Sequence, residues 1–156
     1  MPRTALLRDW VAERIAQEFP RHSSPPDIEP ASADASFRRY FRVRWPDGST
    51  RIVMDAPPEH EDSRPFLKVA ALLREAGVHV PQVFAEDLAQ GFLLLSDMGS
   101  TTYLQVLSAE TAPALYRDAC QALISIQLAS RPGVLPVYDR ALLERELQLF
   151  PEWYVA

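Results

Sequence analysis

With 156 residues and a formal net charge of −5, the chain has room for one ordinary domain or two small lobes, and its acidity argues against a general polyanion binder. A hydrophobic content of 47% supports a real core, while the single cysteine, Cys120, excludes an internal disulfide and fits a reducing cytosol. Arg8, Asp9, Glu13 and Arg14 interrupt the N-terminus where a signal peptide would be apolar, and no apolar run approaches the ~20 residues of a membrane helix, so a cytoplasmic protein with no membrane partner is expected.

Leu6, Leu7, Trp10, Val11, Ile15 and Phe19 recur at helical spacing and predict an amphipathic helix over 4–19. Pro20 and the stretch HSSPPDIEP break it. From Ser36 the period falls to two: Phe37, Arg39, Phe41, Val43 and Trp45 share one face of a strand, and Arg38, Tyr40, Arg42 and Arg44 share the other. PDGS at 46–49 is a tight turn and TRIVMDA a second strand, which makes a hairpin. PPEHED at 57–62 is a loop leading to Ser63, a candidate helix cap, with Pro65 in the first turn. Phe66, Val69, Ala70, Leu73 and Ala76 then form an apolar stripe that Gly77 ends. VPQVFAEDLAQGFLLLS predicts strand, turn and strand, with Gly91 in the turn, and DMGS is a break. TTYLQVL is a short helix, and residues 109–129 are a longer one with Leu115, Ala119, Leu123 and Ile126 on its buried side. Asp139 caps a last helix carrying Leu142, Leu143, Leu147 and Phe150. FPEWYVA closes the chain with Trp153, Tyr154 and Val155, which expect more protein to cover them.

DASFRRYFRVRW, residues 34–45, sets four arginines among aromatics. Three readings stand: a strand face with solvated arginines, a phosphate contact, or a nucleic-acid stripe. Phe37, Phe41 and Trp45 at strand period are expected in the core. Glu59, Glu61 and Asp62 lie in a proline-rich stretch and read as a solvated loop rather than a metal site. His22, His60 and His79 show no ligand spacing, and Cys120, inside an amphipathic helix, reads as a small core residue. Taken alone, SDMG is an ordinary turn after a buried strand.

GFLLLSDMG resembles the fifth strand and hinge of aminoglycoside-phosphotransferase-like kinases, where an apolar strand runs into an acidic residue and a glycine. DASFRRYFRV, IVMDAPP, FLKVAALLREAGVHVPQVFAED and LFPEWYV are similar to one branch of that family, the bacterial cell-wall amino-sugar kinases, and the resemblance runs from about residue 4 to 156. It implies an α+β, protein-kinase-like N-lobe: an antiparallel sheet of about five strands plus one helix, preceded by an N-terminal helix. Residues 1–98 would be the ATP-binding lobe, and 99–156 the first helices of an incomplete C-lobe. The implied function of the intact protein is ATP- and Mg²⁺-dependent phosphorylation of N-acetylmuramate or N-acetylglucosamine at the anomeric hydroxyl, in peptidoglycan recycling. ATP and an amino sugar would be its partners, with no nucleic acid. Another small alcohol such as an aminoglycoside as acceptor, or a non-catalytic nucleotide-binding fragment, are the rival readings. Nothing in the sequence sets an oligomeric state.

Residue by residue, the resemblance implies that Asp34 to Arg39 join the first two strands over the ATP phosphates. Small Ala33, Ala35 and Ser36 stand in for the usual glycines, and Arg38 or Arg39 would supply charge. Ser96, Asp97 and Met98 would form the hinge that meets the adenine edge, and Gly99 would turn the chain into the second lobe. The third-strand position that usually carries a phosphate-pairing lysine is Met54, beside Asp55. Either a loop arginine substitutes, or the metal and the second lobe hold the phosphates. The lone H-x-D, His60-Glu61-Asp62, precedes the first lobe's helix and has Leu67 where an H-x-D-x-x-x-x-N loop needs asparagine. No catalytic or metal-binding residue is therefore expected within these 156 residues, and no turnover from them alone.

Overall fold

The computed structural model describes residues 3–18, 26–33 and 37–155. Helix α1 (Arg3–Glu18) and strand β1 (Asp27–Ala33) precede the hairpin β2 (Arg39–Arg44) and β3 (Thr50–Asp55). Helix α2 (Arg64–Glu75), β4 (Val83–Asp87) and β5 (Phe92–Ser96) follow. Then come α3 (Tyr103–Val106), α4 (Ala112–Ala129), α5 (Arg140–Phe150) and a π-helical turn at Pro151–Val155. The strands form one antiparallel sheet in the order β1-β2-β3-β5-β4. This is the expected α+β organisation of a kinase-like N-lobe.

Strand β1 lies in a stretch whose prolines read as a break. Its position at the sheet edge is what tolerates Pro30, because an edge strand has one side of its backbone unpaired, and the register with β2 shifts between Pro30 and Ser32. Period-two alternation in the other strands separates two cores. On one face α1 lays Leu7, Trp10, Val11 and Ile15 against Val43, Trp45, Val53, Phe92 and Leu94. On the other, Met54, Ala56, Leu93 and Leu95 meet Phe66 and Leu67 of α2. Burying Phe92 to Leu94 completely on both faces of one strand is what a central strand between two helices requires. The predicted Phe19 lies outside the described residues.

Two chain reversals fix these layers. Gly77 adopts φ +77° after α2, where its N–H donates to the Arg74 carbonyl and that of Val78 to the Leu73 carbonyl, a Schellman closure. Gly91, at φ +74°, lies so close to the Ala56 backbone that a Cβ would sit 1.9 Å from its carbonyl oxygen. Ser63 stands at the start of α2 as expected, but its hydroxyl is buried and makes no capping bond; the Asp62 carboxylate accepts from the Arg64 N–H instead, at 3.0 Å. Asp139 does cap α5, accepting from the Leu142 N–H at 2.9 Å.

No residue of α3, α4 or α5 is buried. The stripe expected inside α4 is open: Leu123 is 53% exposed, and Ala119, Ile126 and Cys120 are exposed as well. The reason is that α4 packs extensively on no other described element, so a correct helical period has no surface to face. Trp153 and Tyr154 are likewise exposed. Among the described residues no helix is long and apolar enough to cross a membrane.

Candidate functional site

The α2 side of the sheet carries most of the expected site residues. Cross-strand pairing sets Tyr40 opposite Met54 and Arg42 opposite Ile52. Met54, in the usual lysine position, is fully buried in the cluster with Ala56, Leu93 and Leu95, so its side chain offers nothing to solvent. The chain's single lysine, Lys68, is on α2 and donates to the Val134 carbonyl at 2.6 Å.

At the end of β5, the Ser96 hydroxyl accepts from the Gln82 N–H at 2.9 Å, and the Ser96 N–H donates to the Gln82 carbonyl at 2.8 Å. Asp97 is gripped by Arg42, whose Nε and Nη2 donate to its two carboxylate oxygens at 2.6 and 3.1 Å. The Gly99 N–H donates to the same carboxylate at 2.9 Å. Hydrogen bonds from Arg42 outweigh burial and hold the Asp97 carboxyl at a pKa of about 2. Arg42 departs from the reading of this stretch as a strand face with solvated arginines. The correction follows from register: its strand position opposite Ile52 aims it at the residue just past Leu95 and Ser96, and its side chain is only 17% exposed. Arg44 does stay at the surface, paired with Glu29 at 3.3 Å. Met98, half exposed, has no hydrogen-bond partner among the described residues.

Asp34 and Ser36 lie outside the described residues. Arg38 and Arg39, consecutive on an extended chain, point to opposite faces. Arg39 turns toward α1, where its Nε donates to the Asp55 carboxylate at 3.1 Å and its Nη2 makes a second bond. Arg3 donates to the other Asp55 oxygen at 2.7 Å, so a fully buried aspartate is held between two guanidiniums. Arg38 faces the α2 side and pairs with Glu61 at 3.2 Å. Phe37, expected in the core, is instead largely exposed and stacks on His60 with ring centroids 4.5 Å apart, because it falls beyond the end of β2 and has no helix over it. Glu61 is therefore not a freely solvated loop residue. Asp62 is exposed and bonds Arg64, as a loop residue leading into a helix does. Among the described residues no group of three or more His, Cys, Asp or Glu side chains is arranged to hold a metal ion.

The structure thus gathers Ser96, Asp97 and Met98 at the sheet end and separates Arg38 from Arg39. It adds Arg42, Asp55 and Glu61, which sequence reasoning had set aside. The signal for Asp55 was available, since period two places it on the face of Arg39 across the hairpin.

A five-stranded antiparallel lobe running into an acidic linker residue and a glycine is the organisation of a kinase-like phosphotransferase. The family model described as "Phosphotransferase enzyme family" matches residues 27–156, and the chain belongs to that family. It is 59% identical over 132 residues to an N-acetylmuramate/N-acetylglucosamine kinase of Pseudomonas aeruginosa, an alignment covering 85% of this chain and 39% of that protein. The protein of the same description from Pseudomonas putida is 52% identical over 149 residues, with coverage of 96% and 42%. That from Neisseria meningitidis is 44% identical over 160 aligned positions, with coverage of 100% and 46%. The chain spans less than half the length of these curated relatives.

Proposed function

We propose that this chain is the nucleotide-binding lobe (1–98) and the first helices of the second lobe (99–156) of an ATP-dependent kinase. It would phosphorylate N-acetylmuramate and N-acetylglucosamine at the anomeric hydroxyl in peptidoglycan recycling. The observation that carries this reading is the 59% identity to a kinase of that description, across a chain whose sheet and linker have the kinase-like order.

When bound, ATP with Mg²⁺ supplies the transferable phosphoryl group; the residues of this chain bind and orient it. The donor set fits the two ends of a nucleotide. The backbone N–H and C=O of Met98, free of other partners among the described residues, suit the acceptor and donor edge of adenine. The Arg42–Asp97 pair holds the linker that presents them. Ser96 and Asp97 shape this edge but use their own polar groups internally. Arg38 supplies the cationic end for phosphate, with Asp34 and Ser36 before it in sequence, whereas Arg39 is held on the opposite face by Asp55. Met54, fully buried, packs the sheet beneath this surface and does not line it. For the metal, the described residues supply no donor cluster. Catalysis would rest on positioning and electrostatic stabilisation, with the residue that orients the sugar hydroxyl supplied beyond these 156 residues.

The test is transfer of ³²P from γ-labelled ATP by the full-length protein to N-acetylmuramate, N-acetylglucosamine and an aminoglycoside. Label on the two amino sugars is expected. Label on the aminoglycoside alone would overturn the assignment.

A further inference from the structure

We propose that Glu61 is a positioning residue for Arg38, and that this ion pair takes over the phosphate-facing role that kinase-like lobes otherwise give to a third-strand lysine and a helix carboxylate. The inference rests on the nucleotide-binding reading above and adds to it a residue that the reading does not use.

The chain has one lysine, and it lies on α2 bonded to a backbone carbonyl, so a cation for phosphate on the α2 side of the sheet must be an arginine. Strand β2 and the residue before it put three there. Arg42 is committed to Asp97 through two hydrogen bonds, and Arg44 sits at the far end of the strand with Glu29. Arg38, paired with Glu61, stands at the end of β2 that receives the β1–β2 connection. Its partner is built rather than incidental. The Glu61 N–H and the His60 N–H both donate to the Pro57 carbonyl at 2.9 Å, which winds the loop into a turn and fixes where the carboxylate points. The Phe37 ring stacks on His60 beside the ion pair, so two successive residues of one segment are held by two successive residues of the other. Glu61 is only 19% exposed, which lets its charge act with less screening than a surface pair allows. In kinase-like lobes the carboxylate's task is to hold the cation where the α- and β-phosphates pass. Glu75, the acidic residue at the end of α2, is unavailable for that task because it is turned outward to Arg131.

The test measures binding of a non-hydrolysable ATP analogue with Mg²⁺, and of adenosine, to the full-length protein and its variants. Arg38→Gln should weaken the analogue by about 10-fold or more, the worth of one charge-assisted contact, and leave adenosine within about 2-fold. Glu61→Gln should weaken the analogue by about 3- to 10-fold, again without moving adenosine, and Arg38→Lys should restore part of the loss. The double variant should be no worse than Arg38→Gln, because the carboxylate acts only through the guanidinium. Tighter binding of the analogue by Glu61→Gln would overturn the proposal by making Glu61 a competitor of phosphate. Equal loss of both ligands would overturn it by making the pair merely structural. If the unaltered protein bound neither ligand, the nucleotide-binding reading itself would fall.

Discussion

Arg42 and Asp97, 55 residues apart in sequence, meet end to end through two hydrogen bonds, so strand β2 holds the first residue beyond the sheet. The pair is nearly dry, with Asp97 only 7% exposed, and its carboxyl has a pKa of about 2. An unfolded aspartate titrates near 4, so the folded value is the lower one. The stability carried by this ionised carboxylate and its partners Arg42, Gly99 and Thr50, on the order of 2 kcal/mol at most, is therefore fully present above about pH 4 and is lost as the pH falls toward about 2. Thermal unfolding between pH 6 and pH 2 should show this loss in the unaltered protein, and Asp97→Asn should flatten it. An unchanged slope in Asp97→Asn would mean other carboxylates carry the acid sensitivity.

Asp55 is a fully buried anion shared by Arg3 of α1 and Arg39 of β2. Arg3 also donates to the Gln90 carbonyl at 2.6 Å and lies over the Phe92 ring, so one side chain ties the start of α1 to the sheet in three ways. Asp55→Ala leaves two guanidiniums without their shared partner and should cost about 3 kcal/mol or more in denaturant unfolding. Arg3→Ala removes one of them and should cost about 1–2 kcal/mol. A larger loss for Arg3→Ala than for Asp55→Ala would contradict this arrangement.

Much of this lobe was legible in the sequence because its elements obey local periods. Leu7, Trp10, Val11 and Ile15 recur at helical spacing and are buried; Val43 alternates with Arg42 and Arg44, and it faces α1 together with Val53. Strand β1 was not legible, because Pro30 reads as a breaker unless an edge position is known in advance. The side-chain partners were hidden for a different reason. Which carboxylate Arg42 meets depends on a strand order in which β5 lies beside β3, and no local period carries that information. The α4 stripe was read correctly as apolar, but whether it is buried depends on what lies opposite.

Caps offer a sharp contrast between two residues that look alike in sequence. Asp139 makes its bond to the Leu142 N–H, so Asp139→Ala should cost about 1 kcal/mol of stability. Ser63 makes none, so Ser63→Ala should stay within about 0.5 kcal/mol. A Ser63→Ala loss equal to that of Asp139→Ala in urea unfolding would show that the hydroxyl caps α2 after all.

Gly91 combines two demands that only glycine meets. Its φ of +74° costs any other residue backbone strain, and its Cβ would collide with the Ala56 carbonyl, which is itself fixed because the Ala56 N–H donates to the Gly91 carbonyl at 2.8 Å. Gly91→Ala should destabilise by about 2 kcal/mol or more. Gly48 shares the unusual φ, at +83°, but has open space around it, so Gly48→Ala should cost only about 1 kcal/mol. Equal losses in thermal unfolding would remove the steric part of this account.

Met98 separates backbone from side-chain recognition. If its N–H pairs with the adenine edge, the side chain is dispensable and the amide is not. Met98→Ala should leave affinity for adenosine within about 3-fold, whereas Met98→Pro, which deletes the donor, should weaken it by about 10-fold. Because the base is common to both ligands, the ATP analogue should lose the same factor, opposite to the pattern expected of Arg38. Calorimetric titration of both ligands, with thermal midpoints confirming a folded variant, makes the comparison. Undiminished adenosine binding by Met98→Pro would move the base contact away from this residue.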